Sequence, residues 1–343
     1  MEGIARVERD RVRGMLLGVA IGDAIGLPFE FNYKKQPYSD LIQYKAYNNS
    51  QFHGKRYYAI GQYSDDMELT ITLARNLIKN KKYNRDKILL DYMEWANTNP
   101  PMGNNTRNLF QNVKTIRGYE SRFSKYFPTK ESQENSQSNG CLMRCSSLAC
   151  LWNNDDILLD TALTNPSEVS KGATLFYTYL LRCILTGDTK KHCWENAVEI
   201  LPSLHPEINR IVKMVESGTE WALVEFKGRK RAIGWVLYAL YAGLYCYYHF
   251  VDDDSDATVF EKSLAWVIKD HPDSDTDTNA AVAGGLIGAA IGSVRMEASP
   301  ITAENIRLVM SHQTRETDRP RPVSYHLSDL EAIVDGLTYL SGL

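Results

Sequence analysis

The stretch Gly14-Met15-Leu16-Leu17-Gly18-Val19-Ala20-Ile21-Gly22-Asp23-Ala24-Ile25-Gly26-Leu27-Pro28-Phe29-Glu30-Phe31 decides the fold class. Its four glycines recur every fourth residue, so they stack on one face of a helix and leave that face bare for close helix contact. In an uncharged apolar segment the same spacing would mark a membrane helix pair, but Asp23 lies inside this one. Glu30 falls just past the helix between two phenylalanines. It reads either as a surface residue over buried rings or as a carboxylate in a shielded pocket.

Outward from this segment, apolar residues keep helical spacing almost throughout, and alternating strand-like runs are scarce. The pattern predicts helices near 8–26, 66–80, 84–97, 155–164, 168–186, 191–200, 206–217, 231–250, 257–270, 276–295, 301–310 and 327–342. Asp188, Ser255 and Ser328 read as turn or N-cap residues, and Pro166, Pro202 and Pro206 punctuate the helices. The polar run Thr129 to Gln137 reads as a mobile surface loop, too short for a domain linker. With no internal repeat, the expectation is one all-α domain over residues 1–343.

Composition narrows the partners. The chain has 343 residues and a net charge near −3, which gives no global attraction to nucleic acid or an acidic membrane. The basic run Lys227-Gly228-Arg229-Lys230-Arg231 reads as a solvated turn. The start of the chain lacks the basic-then-apolar order of a secretory signal. Ala232 to Phe250 contains Gly, several Tyr and His249, and reads as a buried helix rather than a lipid-facing one. The six cysteines show no C-x-x-C spacing and no disulfide framework. A soluble, reduced, monomeric protein of the cytoplasm is expected.

Three further segments carry candidate chemistry. Gly61-Gln62-Tyr63-Ser64-Asp65-Asp66-Met67-Glu68 places a hydroxyl and two carboxylates at a helix start. Either Ser64 or Asp65 caps the helix, or the adjacent carboxylates, which point in different directions, ligate hard cations with Ser64 adding a neutral oxygen. His271-Pro272-Asp273-Ser274-Asp275-Thr276-Asp277-Thr278-Asn279 gives alternate carboxylates and hydroxyls before a helix rich in Ala and Gly. It matches three positions of a calcium loop but lacks the required Gly and final Glu, and an acidic helix cap also accounts for it. Ser138-Asn139-Gly140-Cys141-Leu142-Met143-Arg144 opens a helix with free backbone N–H groups, suited to a phosphate and equally to an ordinary turn.

Together and in this order, the segments resemble the ADP-ribosylglycohydrolase family. The matches are Gly14 through Glu30, Ser64-Asp65-Asp66, Ser138-Asn139-Gly140 with Met143-Arg144, and Asp275-Thr276-Asp277-Thr278. Gly103-Asn104-Asn105-Thr106-Arg107 also resembles a loop of the bacterial branch. The resemblance implies an all-α fold with two magnesium ions, replaceable by manganese, at the base of a cleft. It implies Ser64, Asp65, Asp66, Asp275, Asp277 and Thr278 as metal ligands. Glu30 and Asp275 become the candidate catalytic acid and base. Ser138, Asn139, Gly140, Met143 and Asn165 would border the substrate, and Trp235 would stack near adenine. Two departures stand out: Asn165 replaces the family histidine in Leu163-Thr164-Asn165-Pro166, and Pro101 replaces an aspartate of the bacterial loop.

The activity implied is hydrolysis of the bond between ADP-ribose and an acceptor, with ADP-ribosylated arginine on protein as the expected substrate and ADP-ribose as product. Serine- or acetyl-linked ADP-ribose is the alternative acceptor. A non-catalytic ADP-ribose-binding or structural member of the fold, and a helical metal-dependent phosphohydrolase, are the rival classes.

Overall fold

A computed structural model describes residues 6–30, 38–43, 47–49, 54–56, 58–151, 153–219, 233–271 and 274–342. Among them sixteen α-helices follow one another. The first six are α1 Arg9–Gly26, α2 Asp65–Asn80, α3 Arg85–Ala96, α4 Asn104–Phe110, α5 Ile116–Tyr126 and α6 Lys130–Glu134. The next five are α7 Asn154–Ala162, α8 Glu168–Leu185, α9 Lys190–Glu199, α10 Pro206–Glu216 and α11 Val236–Phe250. The last five are α12 Ala257–Lys269, α13 Thr276–Ile291, α14 Ser293–Ala298, α15 Pro300–Ser311 and α16 Leu330–Leu340. A short antiparallel hairpin pairs Tyr47–Asn49 with Gly54–Arg56. The all-α expectation holds.

The centre of the bundle is the crossing of α1 with α13. Gly14 faces Gly288, Gly18 faces Gly284, Gly22 faces Ala280 and Gly26 faces Thr276, so the two helices run antiparallel. Contact is backbone to backbone. A methyl group at Gly18 would fall 2.0 Å from the Gly284 carbonyl oxygen, and one at Gly22 would fall 2.1 Å from that of Ala280. The Thr276 hydroxyl closes the seam by donating to the Gly26 carbonyl at 2.9 Å. Helices α11 and α12 cover the far side of α13, while α2 and α16 pack on α1. Nearly all of α1 is buried, which accounts for its apolar length without a membrane. The antiparallel crossing brings the end of α1, where Glu30 follows, beside the start of α13, where Asp275 precedes it.

Several local expectations are corrected. Helices α4, α5 and α6 lie in a region where periodicity predicts none. Only Tyr119 of α5 is fully buried. Hydroxyl caps begin α5 and α6, where Thr115 accepts from the Gly118 N–H and Thr129 forms a capping box with Ser132, while α4 has no side-chain cap and buries Leu109 and Phe110. The run Thr129–Gln137 is therefore partly helical rather than a mobile loop. The caps of α9 and α12 are Thr189 and Asp256, one residue beyond Asp188 and Ser255; the turn reading holds for Ser255, which closes a turn with Asp252, and for Ser328, which lies in the turn before α16. The helix expected over 231–250 begins at Val236, and 276–295 is broken by Gly292 at φ +78°. The basic run 227–231 and Asp273 lie outside the described residues.

All six cysteines are unpaired, and five are buried. Burial pushes the Cys150 and Cys193 thiols up to about 12, so little thiolate forms to react. Thiol counting under denaturing, non-reducing conditions is expected to find six; a reproducible loss of two would contradict a reduced protein.

Candidate functional site

The site is built where α1 ends and where α2 and α13 begin. Asp23, one turn before the end of α1, is completely buried. Its carboxylate accepts the Ser64 N–H at 2.9 Å, the Ser64 hydroxyl at 2.8 Å and the Met67 N–H at 3.0 Å. Thus the first turn of α2 is capped from another helix, and Ser64 makes no side-chain cap of its own. Asp65 and Asp66 are released from that duty. Asp66 is 1% exposed, yet its Oδ1 has no hydrogen-bond partner. Its Oδ2 lies 3.3 Å from the Ser64 hydroxyl.

Opposite stands the second acidic group. One carboxylate oxygen from each of Glu30, Asp275 and Asp277 falls within 4.8 Å of the others. Asp277 also accepts the Thr278 N–H at 2.9 Å. Burial, and then the Asp23 carboxylate, pushes Asp65 up to about 7. Burial dominates for Glu30 as well, followed by the charges of Asp275, Asp65 and Asp23, and holds its carboxyl well above the usual range. These mutual shifts show both acidic groups sharing one poorly solvated space. A cluster of buried carboxylates and hydroxyls with an orphan oxygen suits hard divalent cations.

Beside the cluster runs the Ser138 turn. The Asn139 N–H donates to the Gly234 carbonyl and the Val236 N–H to the Gln137 carbonyl, both at 2.9 Å, which ties the turn to the start of α11. The Asn139 amide donates to Asp275 at 2.8 Å, linking turn and acidic cluster directly. An added methyl at Gly140 would make only ordinary contacts, 3.9 Å from Asn165 Oδ1 and 4.0 Å from Thr106 Oγ1. Behind it, the fully buried Arg144 donates to the Gly140 carbonyl at 2.7 Å and to Asp160 at 2.9 Å. Asn105 of the Gly103–Arg107 segment donates to Ser136, Ser138 and the Thr164 carbonyl.

The sequence model of the ADP-ribosylglycohydrolase family matches residues 5–299 of this chain. The chain belongs to that family. Among relatives, the ADP-ribosyl-dinitrogen-reductase glycohydrolase of Rhodospirillum rubrum is 26% identical, over 82% of this chain and 86% of its own. The ADP-ribosylarginine hydrolase Tri1 of Serratia proteamaculans is 24% identical, over 81% of this chain and 72% of its own. A solved ADP-ribosylglycohydrolase-related protein complex superposes with a TM-score of 0.64 at 20% identity, covering 97% of this chain and 98% of that one. The protein is thus an ADP-ribosylglycohydrolase by family and by fold.

In this ADP-ribosylglycohydrolase, Glu30, Ser64, Asp65, Asp66, Asp275, Asp277 and Thr278 come together, with Asn139 attached to them. Ser138 and Gly140 lie on the adjoining turn. Met143 is buried, and its carbonyl accepts from Thr70. Two residues expected at the substrate sit behind the turn instead. Asn165 is fully buried and its amide donates to the Ser138 hydroxyl and carbonyl at 2.8 and 3.0 Å, so it shapes the turn without facing the cleft. The Trp235 indole is 4% exposed, donates to Gln137 and stands edge-on to Tyr238, leaving no open face for adenine. Sequence reasoning also passed over Asp23, used there only to exclude a membrane helix, and Arg144, quoted without a role. For Asp23 the available signal was a lone carboxylate within the apolar stretch Gly14–Gly26.

Proposed function

We propose that this ADP-ribosylglycohydrolase binds two Mg2+ ions and hydrolyses ADP-ribosyl-arginine on protein, releasing ADP-ribose. The observation that carries the reading is the orphaned, buried Asp66 Oδ1 inside a convergent set of oxygen donors. Ser64, Asp65, Asp66, Asp275, Asp277 and Thr278 would hold the ions, with Mn2+ able to substitute. Bound there, the ions supply Lewis acidity and neutralise the carboxylate cluster.

The remaining steps belong to the chain's own groups. Asn139 and the Ser138 turn, Gly140 included, border the ADP-ribose. Cleavage breaks the bond from the anomeric carbon to the arginine nitrogen, and water supplies the hydroxyl of the product. Glu30, half-buried beside Asp275, is placed to take the proton of that water, and the pair shares the return of a proton to the departing guanidine.

Support for arginine comes from the Gly103–Arg107 segment, whose Asn105 is bonded to the Ser138 turn, and from the Tri1 relative, named as an ADP-ribosylarginine hydrolase. A cationic guanidinium gains from the negative potential of Glu30 and the neighbouring carboxylates; a neutral serine hydroxyl gains little. Pro101 and Asn165 stand against it as departures from the family pattern. The test is kcat/KM on matched arginine- and serine-linked peptides. Arginine is expected to lead; a tenfold serine preference, about 1.4 kcal/mol, would overturn the acceptor and leave the hydrolase intact.

A further inference from the structure

The family match ends at residue 299, yet the chain beyond it returns to the site. Arg321 lies there with its side chain 6% exposed. Its Nε donates to Glu68 Oε1 at 2.8 Å and its Nη2 to Glu68 Oε2 at 2.9 Å, a two-pronged grip. The Trp95 indole donates to the same carboxylate at 2.7 Å. Arg321 also donates to the Thr98 hydroxyl at 2.8 Å and to its carbonyl at 3.1 Å, and its guanidinium lies over the Tyr325 ring.

The placement of these partners is what matters. Glu68 is one turn along α2 from Asp65, and Thr98 follows the end of α3. From Thr98 the chain runs through Pro101 to Asn105, which holds the Ser138 turn. One guanidinium therefore reaches the helix that carries Asp65 and Asp66 and also the root of the loop that props the turn.

We propose that Arg321 is a positioning residue, which fixes the rotation of α2, and with it Asp65 and Asp66, against the loop over 98–105. The role rests on the two-metal reading of those aspartates. Asp23 anchors α2 at its first turn, and Glu68 supplies a second fixed point one turn on. Side chains reach about 5–6 Å from a helix axis, so a rotation of roughly 10° moves a carboxylate by about 1 Å. That is several times the roughly 0.2 Å within which ligand distances must fall.

The test compares wild type, Arg321→Lys, and the double variant Glu68→Gln with Arg321→Met, which leaves no buried charge unpaired. Mn2+ affinity is read by electron paramagnetic resonance, with helical content, thermal midpoint and kcat and KM alongside. The double variant is expected to keep wild-type helical content and lose about 10–100-fold in Mn2+ affinity, the range for residues that orient metal ligands. The Lys variant, which keeps the charge but not the fork, should fall between. A merely structural arginine would lower the thermal midpoint and leave the Mn2+ affinity of the folded protein unchanged. Wild-type affinity in the Lys variant and in the folded double variant overturns the proposal; should the double variant not fold, wild-type affinity in the Lys variant alone does so. A wild-type protein that binds no Mn2+ overturns the two-metal reading itself, and the positioning role with it.

Discussion

Asp66→Asn is expected to lower kcat about a thousandfold while raising the thermal midpoint of the metal-free protein. The two effects have one origin. Asp66 is buried, its Oδ1 has no partner, and Asp23, Asp65 and Asp275 crowd it with like charge. Asparagine keeps the shape and removes the charge, so the metal-free fold loses a desolvation and repulsion cost. The same change deletes a ligand of the proposed metal pair. Losing several kcal/mol of Lewis-acid stabilisation, about 4 at 1.36 per decade, gives the thousandfold figure. Added Mg2+ should stabilise wild type by about 2.7 kcal/mol at a hundred times its Kd, and the variant far less. A helix-cap role predicts the reverse, lower stability with turnover retained. Full turnover in Asp66→Asn, or in wild type after exhaustive chelation, would overturn the two-metal reading.

Gly18→Ala should damage the fold itself. The added methyl meets the Gly284 carbonyl oxygen at 2.0 Å and its carbon at 2.6 Å, both backbone atoms that cannot rotate away. Helices α1 and α13 must separate, at a cost at or above the upper end of core overpacking, about 3 kcal/mol. Because Glu30 follows α1 while Asp275 and Asp277 begin α13, Mn2+ affinity should fall as well. Gly243→Ala is the control: its methyl meets Val282 and Leu286 side chains at 3.2 Å, contacts that can yield. Urea denaturation of both variants decides the matter. A Gly18→Ala protein within 0.5 kcal/mol of wild type, about the scatter of harmless substitutions, would mean that the seam is not rigid.

What could be read from the sequence follows a physical line. The glycine spacing of α1 and the small residues of α13 are periodic features of single helices, so the bundle and its tightest helices were legible. The acidic segments were legible as residue types. What no local pattern reveals is which distant group takes up a residue's hydrogen-bonding capacity. Ser64 and Asp65 looked like caps because nothing nearby showed that Asp23 caps α2. Trp235 looked like a stacking platform because Gln137, its partner, is 98 residues away. Helices α4 to α6 escaped because they are short; hydroxyl caps begin α5 and α6, and α4 starts after Gly103 with no side-chain cap. The Glu68–Arg321 pair spans 253 residues and left no local trace.

The seam between α1 and α13 also sets a timetable for synthesis. The groups it joins, Gly26 and Thr276, are 250 residues apart. At roughly 5–20 residues per second, a ribosome needs about 13–50 s between them. Throughout that interval α1, apolar enough in length and composition to be taken for a membrane-crossing segment, waits without the helix that covers its glycine face. Neither can the acidic cluster form, because half of it is still untranslated. The nascent chain therefore keeps that face uncovered for most of its synthesis, and the acidic cluster is completed only late.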